Sequence, residues 1–163
     1  MKTISKLVLA CAAMASLAMP VLPAAAQGNG SPITLSGDVK AVKTVTDADG
    51  KERTELVDPA TIIPGDRLVF GTDYANKGAE AVSNFVVTNP LPAAVRLAPD
   101  ADPALDVSID AGKTFGVLAT LTIANSDGTT RPAAHADVTH VRWVLASIAP
   151  GASGRLTYPA IIR

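Results

Sequence analysis

Histidine occurs twice in the 163 residues, at His135 and His140, and cysteine once, at Cys11. Two histidines are too few for a multi-histidine metal centre, and one cysteine excludes both an intrachain disulfide framework and a thiolate zinc site. No G-x-S-x-G elbow occurs, so a serine nucleophile lacks its usual setting. Aromatic residues make up 4% of the chain, too few for the interfacial girdles of an outer-membrane barrel. Charge of one sign is also missing: the net charge is −1 and no basic run stands out, which argues against nucleic acid or anionic lipid as a partner. Beyond the N-terminus, no stretch sustains a 3.6-residue hydrophobic period over several turns, so an α-helical domain is excluded.

One long apolar run is present, and it lies at the start. Met1 to Ala26 carries Lys2 and Lys6, then the apolar stretch Leu7 to Leu22, then Ala24-Ala25-Ala26 before Gln27. This order of basic, apolar and small residues predicts a secretory signal peptide cut after Ala26, leaving no membrane span. Ser16 and Pro20 interrupt the run, which disfavours a retained anchor. A lipoprotein signal using Cys11 would leave only Leu7 to Ala10 as its hydrophobic region, which is too short. Cleavage removes Cys11, Lys2 and Lys6, leaving 12 basic and 15 acidic residues and a net charge of about −3. About 137 of the 163 residues remain, enough for one domain that buries about two thirds of its unfolded surface without a disulfide.

Residues 27–32, Gln-Gly-Asn-Gly-Ser-Pro, form a cluster of turn formers and predict a flexible leader. The domain is expected to occupy residues 33–163. Ile33 to Thr46, the turn Asp47-Ala48-Asp49-Gly50 and Lys51 to Val57 predict a hairpin, edge-exposed because Lys40, Lys43, Lys51 and Arg53 decorate it. The stretch around which the rest is organised runs from Ile62 to Gly78: a tight turn at Pro64-Gly65 feeding a strand that puts Leu68, Phe70, Thr72 and Tyr74 on one face and ends in another turn. It is echoed by Ile148-Ala149-Pro150-Gly151-Ala152-Ser153-Gly154-Arg155-Leu156-Thr157-Tyr158, an echo consistent with two packed sheets that each receive one such lead-in. Between them, Ser83 to Asn89, Ala94 to Leu97, Leu105 to Ile109, Phe115 to Ala124 and Val138 to Leu145 read as strands, with one helical turn at Pro132 to Asp137. Trp143 is the expected aromatic anchor of the core.

These pieces resemble a known family. Pro64 to Phe70, Tyr74-Ala75-Asn76-Lys77-Gly78, Phe85-Val86-Val87-Thr88-Asn89-Pro90-Leu91-Pro92, Val141-Arg142-Trp143 and Ile148 to Gly154 look like the conserved repeat domain of bacterial and archaeal surface proteins, an immunoglobulin-like family of unknown function. The resemblance implies an immunoglobulin-like Greek-key β-sandwich of about seven to nine strands and an extracytoplasmic role. It brings no catalytic residues. The chain departs from the family pattern in having a single copy and an insert from Pro99 to Pro132.

Within the insert, Ser108-Ile109-Asp110-Ala111-Gly112-Lys113-Thr114-Phe115 resembles the aspartate box S-x-D-x-G-x-T-W, with Phe115 replacing the tryptophan. Sialidases carry several such boxes on a propeller; one box in a chain this short predicts a hairpin clasp. In that clasp Asp110 and Thr114 bond turn amides, Gly112 takes a backbone shape other residues resist, and Phe115 packs beneath. Asp47 with Asp49, and Asp100, Asp102 and Asp106, are the carboxylate groups close enough in sequence to consider for calcium, but neither set has the spacing of a calcium loop. No catalytic, cofactor-binding or metal-binding residue is assigned. The expectation is an exported, periplasmic or extracellular, non-catalytic structural or binding module whose partner is an envelope or extracellular protein or glycan. The alternative is a self-assembling subunit of a surface filament, extended by strand addition from the leader.

Overall fold

A computed structural model describes residues 31–163. The expected signal peptide and most of the leader lie outside the described residues. Among the described residues eleven strands and two short 3-10 turns follow one another. They are β1 (Ile33–Thr46), β2 (Glu52–Val57), β3 (Arg67–Asn76), β4 (Val82–Pro90), β5 (Val95–Leu97) and β6 (Asp106–Ser108), then β7 (Gly116–Val117), β8 (Thr122–Ala124), β9 (Thr130–Pro132), β10 (His140–Ile148) and β11 (Ser153–Ile162). One 3-10 turn spans Leu118–Thr120 and the other His135–Asp137. The larger sheet has the order β2-β1-β3-β11-β5 and the smaller β4-β10-β6-β7, every pairing being antiparallel. A separate hairpin, β8-β9, completes the insert.

Residues 31–163 form the all-β sandwich expected of the sequence. Its chain crosses between the two sheets at the β3–β4, β4–β5, β5–β6 and β10–β11 connections. The strand number exceeds the seven to nine expected because the stretch Phe115 to Ala124 is broken. Leu118–Thr120 closes a tight turn in which Leu121 N donates to Leu118 O, so one expected strand becomes β7 and β8, and β9 is added to pair with β8.

Alternation along β3 works as its sequence implies. Leu68 is 3% exposed and Thr72 is buried, while Phe70 and Tyr74 are half-buried on the same face. Cross-strand rows continue that face, with Val39, Phe70 and Tyr158 in register on β1, β3 and β11. The core joins Leu68, Val95, Leu97, Tyr158 and Ala160 of the larger sheet to Val107 and Val141 of the smaller. Its anchor is Tyr158 and not Trp143. The Tyr158 ring is 2% exposed and stacks on Phe70 at a centroid distance of 5.0 Å, whereas Trp143 is half-buried and meets Tyr158 at a tilt, 6.2 Å away. Trp143 shares a face of β10 with the fully buried Val141 but stays half-buried itself, whereas Tyr158 sits midway along β11 between the rings of Phe70 and Trp143.

The two Pro-Gly lead-ins serve one sheet, contrary to the expectation of one for each. β3 and β11 are antiparallel neighbours, so the turn before each strand meets the end of the other. Gly65 N donates to Ile162 O and Ile162 N to Asp66 O at one end; Gly151 N donates to Asn76 O and Asn76 N to Ala152 O at the other. Gly65 and Gly151 both have positive φ, 96° and 72°, a conformation that costs glycine little and other residues more. The echo in the sequence is therefore a local two-fold in the central strand pair.

Asn76 closes that arrangement. It is fully buried, its Nδ2 donating to Ile148 O (2.9 Å) and Glu80 O (2.8 Å) and its Oδ1 accepting from Gly78 N (2.9 Å). One side chain thus ties the end of β3 to the turn before β4 and to the end of β10 in the other sheet. A second tie between sheets runs from Asn89 Nδ2 to Thr72 Oγ1 at 2.7 Å. On the outer face of the larger sheet, Arg155 pairs with Asp38 and Asp73. Its guanidinium lies where a Cβ on Gly71 would stand, so glycine at 71 is what lets the arginine reach across β3 to β1.

Candidate functional site

The insert between β5 and β10 builds the most elaborate surface of the domain, and it starts at the Ser108–Phe115 hairpin. Asp110 organises the turn. Its Oδ1 accepts from Ser108 Oγ (2.7 Å), Thr114 N (2.9 Å) and Lys113 N (3.1 Å), and its Oδ2 accepts from Thr114 Oγ1 (2.6 Å). Ser108 Oγ in turn accepts from Gly112 N at 2.9 Å. Ala111 and Gly112 both adopt positive φ, 61° and 83°, which bends the chain tightly enough for one carboxylate to reach donors three and four residues on. The Thr114 hydroxyl and amide, followed by Ser108, hold the Asp110 carboxyl well below the usual carboxylate range. Three donors converge on Oδ1 and one on Oδ2, so the carboxylate is held ionised by its own turn and serves to close it. The aspartate-box segment is a clasp, as its residue pattern implies, although Thr114 closes it by donating its hydroxyl to Asp110 and not by bonding a turn amide.

Phe115 departs from that expectation. It lies on the outer face of the smaller sheet under the guanidinium of Arg142, whose Cζ is 4.2 Å from the ring centroid. Arg142 Nη2 also donates to Asp106 Oδ2 at 2.9 Å, while its Nε has no partner. The stack is a cation–π contact that fastens the hairpin to β10. Thr139 fastens it again: its amide and hydroxyl both donate to Ser108 O, and its Oγ1 accepts from Ala111 N.

Beside the clasp the insert encloses a cleft of about 350 Å³. One wall is Leu97, Pro99, Pro103, Leu105 and Val107; Leu118, Ala119, Ala133 and His135 face it. Ala101 and Asp102 also line it. The walls are braced from outside. Arg131 binds Asp137 through both guanidinium nitrogens (2.7 and 2.8 Å), Asp137 accepts from Ala134 N (2.8 Å), and Ala133 N donates to Leu121 O (2.9 Å). Arg131 first and the Ala134 amide next pull the Asp137 carboxyl down to about 2. Arg163 joins the same turn to the larger sheet, its Nη2 donating to Ala136 O and its Nε to Val95 O. The apolar lining suits a hydrophobic ligand or an apolar side chain of a partner. Among the cleft-lining residues only Asp102 and His135 ionise, and Asp102 Oδ1 already accepts from Ala104 N at 2.9 Å.

The two histidines are held on different elements. His135 lines the cleft, whereas His140 on β10 lies against Gly112 with its Nδ1 3.1 Å from Thr139 Oγ1. Of the acidic residues considered for calcium, Asp47, Asp100, Asp102 and Asp106 have protein donors on their carboxylates. Asp47 Oδ1 accepts from Asp49 N and Lys51 N in the β1–β2 turn, Asp100 forms a bidentate pair with Arg67, and Asp106 meets Arg142. Among the described residues no group of three or more metal-ligating side chains comes together. No helix there is long and apolar enough to cross a membrane. The cleft itself escaped sequence reasoning, because its walls come from residues 97–107, 118–119 and 133–135, none of which carries a motif. The only signal was the length of the insert.

Compared with family models, with curated proteins and with solved structures, the chain finds no match.

Proposed function

We propose that the protein is an exported, non-catalytic binding module of the cell envelope or extracellular space. The observation that carries this reading is the apolar cleft of about 350 Å³, one side of which is tied by the Arg131–Asp137 pair and by Arg163 to the larger sheet. A recess that is preformed and braced from outside binds without an ordering cost on its own side. The export half of the reading rests on the signal-like order of residues 1–26. Its partner is an envelope or extracellular protein, or a glycan presenting an apolar face. Assembly into a filament by strand addition from the leader finds less support, since residues 33–41 already pair along β3 of their own domain and Pro32 O accepts from Lys77 N.

The test is crosslinking in the native cell envelope with the parent chain and with Ala119→Trp, which fills the cleft from an exposed position. A specific adduct formed by the parent and lost in the variant supports the reading. Only abundant bystanders with the parent, or an adduct indifferent to the substitution, sinks it.

A further inference from the structure

Sheet edges expose unpaired N–H and C=O groups, and proteins that stay monomeric guard them with charge, proline or short length. Two edges of this sandwich follow that rule. β2 carries Glu52, Arg53 and Glu55, and the part of β1 beyond β2 carries Asp38 and Lys40. β4 does not. It terminates the smaller sheet, and its nine residues, Val82-Ser83-Asn84-Phe85-Val86-Val87-Thr88-Asn89-Pro90, include no charged side chain. Proline appears only as its last residue, and Asn84, with φ of 53°, bends only its beginning.

The outer face beside this edge carries an apolar pair next to Thr88 and Arg142. Val86 on β4 is directly opposite Val144 on β10, and the two are 51% and 55% exposed on the outer surface of the smaller sheet. A cross-strand valine pair gains from burial that solvent on one face denies it. Here nothing among the described residues covers it.

We propose that β4 pairs edge to edge with β4 of a second copy of this chain, in antiparallel register about Val86. Three features select a second copy over a different partner. An uncharged strand offers no complementarity to a charged partner and no repulsion to itself. The sequence is self-complementary about Val86: a two-fold there sets Val86 against its own copy and Phe85 against Val87 twice, so every central pair is apolar. The same operation joins the two Val86–Val144 pairs into one row of four valines across a continuous sheet. The contact is isologous, so it closes at two subunits and does not propagate into a fibre. Its short length predicts a weak, concentration-dependent dimer. The cleft in the insert takes no part, so this inference stands or falls apart from the proposed function.

Sedimentation velocity on the chain as recovered from expressing cells, over a concentration series, reads the association. A monomer–dimer equilibrium is expected, with Val86→Lys moving the midpoint at least tenfold upward while the thermal midpoint stays that of the parent. Thr88→Lys, on a residue already exposed on the same face, replaces it if Val86→Lys lowers the thermal midpoint. In parallel, Val86→Cys should form a disulfide-linked dimer under mild oxidation, because directly opposed Cβ atoms in an antiparallel pair lie within about 5 Å. The parent chain, with Cys11 as its one cysteine, is the control. A chain that stays monomeric up to about 1 mM, or a dimer that survives the lysine substitution unchanged, overturns the proposal.

Discussion

Replacing Asn76 by alanine tests the reasoning about the central strand pair most directly. The side chain is fully buried, and its removal strands three groups: the carbonyls of Ile148 and Glu80 and the amide of Gly78. A buried polar group left without a partner costs about 1–3 kcal/mol. Ile148 O lies in the interior and takes about 2 of that; Glu80 is exposed and Gly78 half-exposed, so water recovers part of their loss and each adds about 0.5 kcal/mol. The sum is about 3 kcal/mol, a large share of the roughly 5–15 kcal/mol that holds a domain of this size together, and it lowers the thermal midpoint by about 10 °C. Asn76→Asp should be worse, since a carboxylate accepts from Gly78 N but faces two carbonyl oxygens it cannot donate to. Urea titration followed by Trp143 fluorescence measures both, with Asn125→Ala as control. The Asn125 amide bonds only Thr129 Oγ1 at the surface, and its loss should cost no more than about 0.5 kcal/mol. A loss below about 1 kcal/mol for Asn76→Ala, or one no larger than the control, would refute the role given to Asn76.

The remaining predictions concern the core, the clasp and the acidic turns. Leu68→Ala removes a side chain that is 3% exposed and should lower stability by about 2–5 kcal/mol in the same urea experiment; a change within 0.5 kcal/mol of zero, roughly the range of a surface substitution, would take Leu68 out of the core. The Asp110 carboxyl titrates well below its ordinary value because the folded clasp favours the charged form. Its contribution is therefore complete above the unfolded value, about 3.9, and is lost as pH falls through the lower folded value. The stability difference between the parent and Asp110→Asn should be constant from pH 5 to 7, by the same reference value, and shrink on further acidification; a difference that grows in acid contradicts the clasp. Added calcium should leave the thermal midpoint unchanged, because the Asp47, Asp100 and Asp106 carboxylates already hold protein donors. An upward shift that saturates with calcium would show a site the geometry does not reveal.

Local patterns settle what neighbours in the chain settle. The alternation Leu68, Phe70, Thr72 announced a half-buried strand, Asp47 to Gly50 announced a hairpin turn, and Ser108 to Thr114 announced a clasp, because each depends on side chains within a few residues of one another. The sequence by itself therefore determined the all-β character, most strand positions and the clasp. It could not decide which strands become neighbours, since antiparallel pairing between β3 and β11 joins residues far apart in the chain. Only the tertiary structure placed both Pro-Gly turns on one sheet, made Tyr158 instead of Trp143 the buried aromatic, and brought Leu97, Leu118 and Ala133 together around a cleft. It also left β4 at a sheet edge. Burial and exposure are properties of the assembled sheets: Val86 and Val87 are neighbours on one strand, yet Val87 faces the core and is 2% exposed while Val86 faces outward and is 51% exposed.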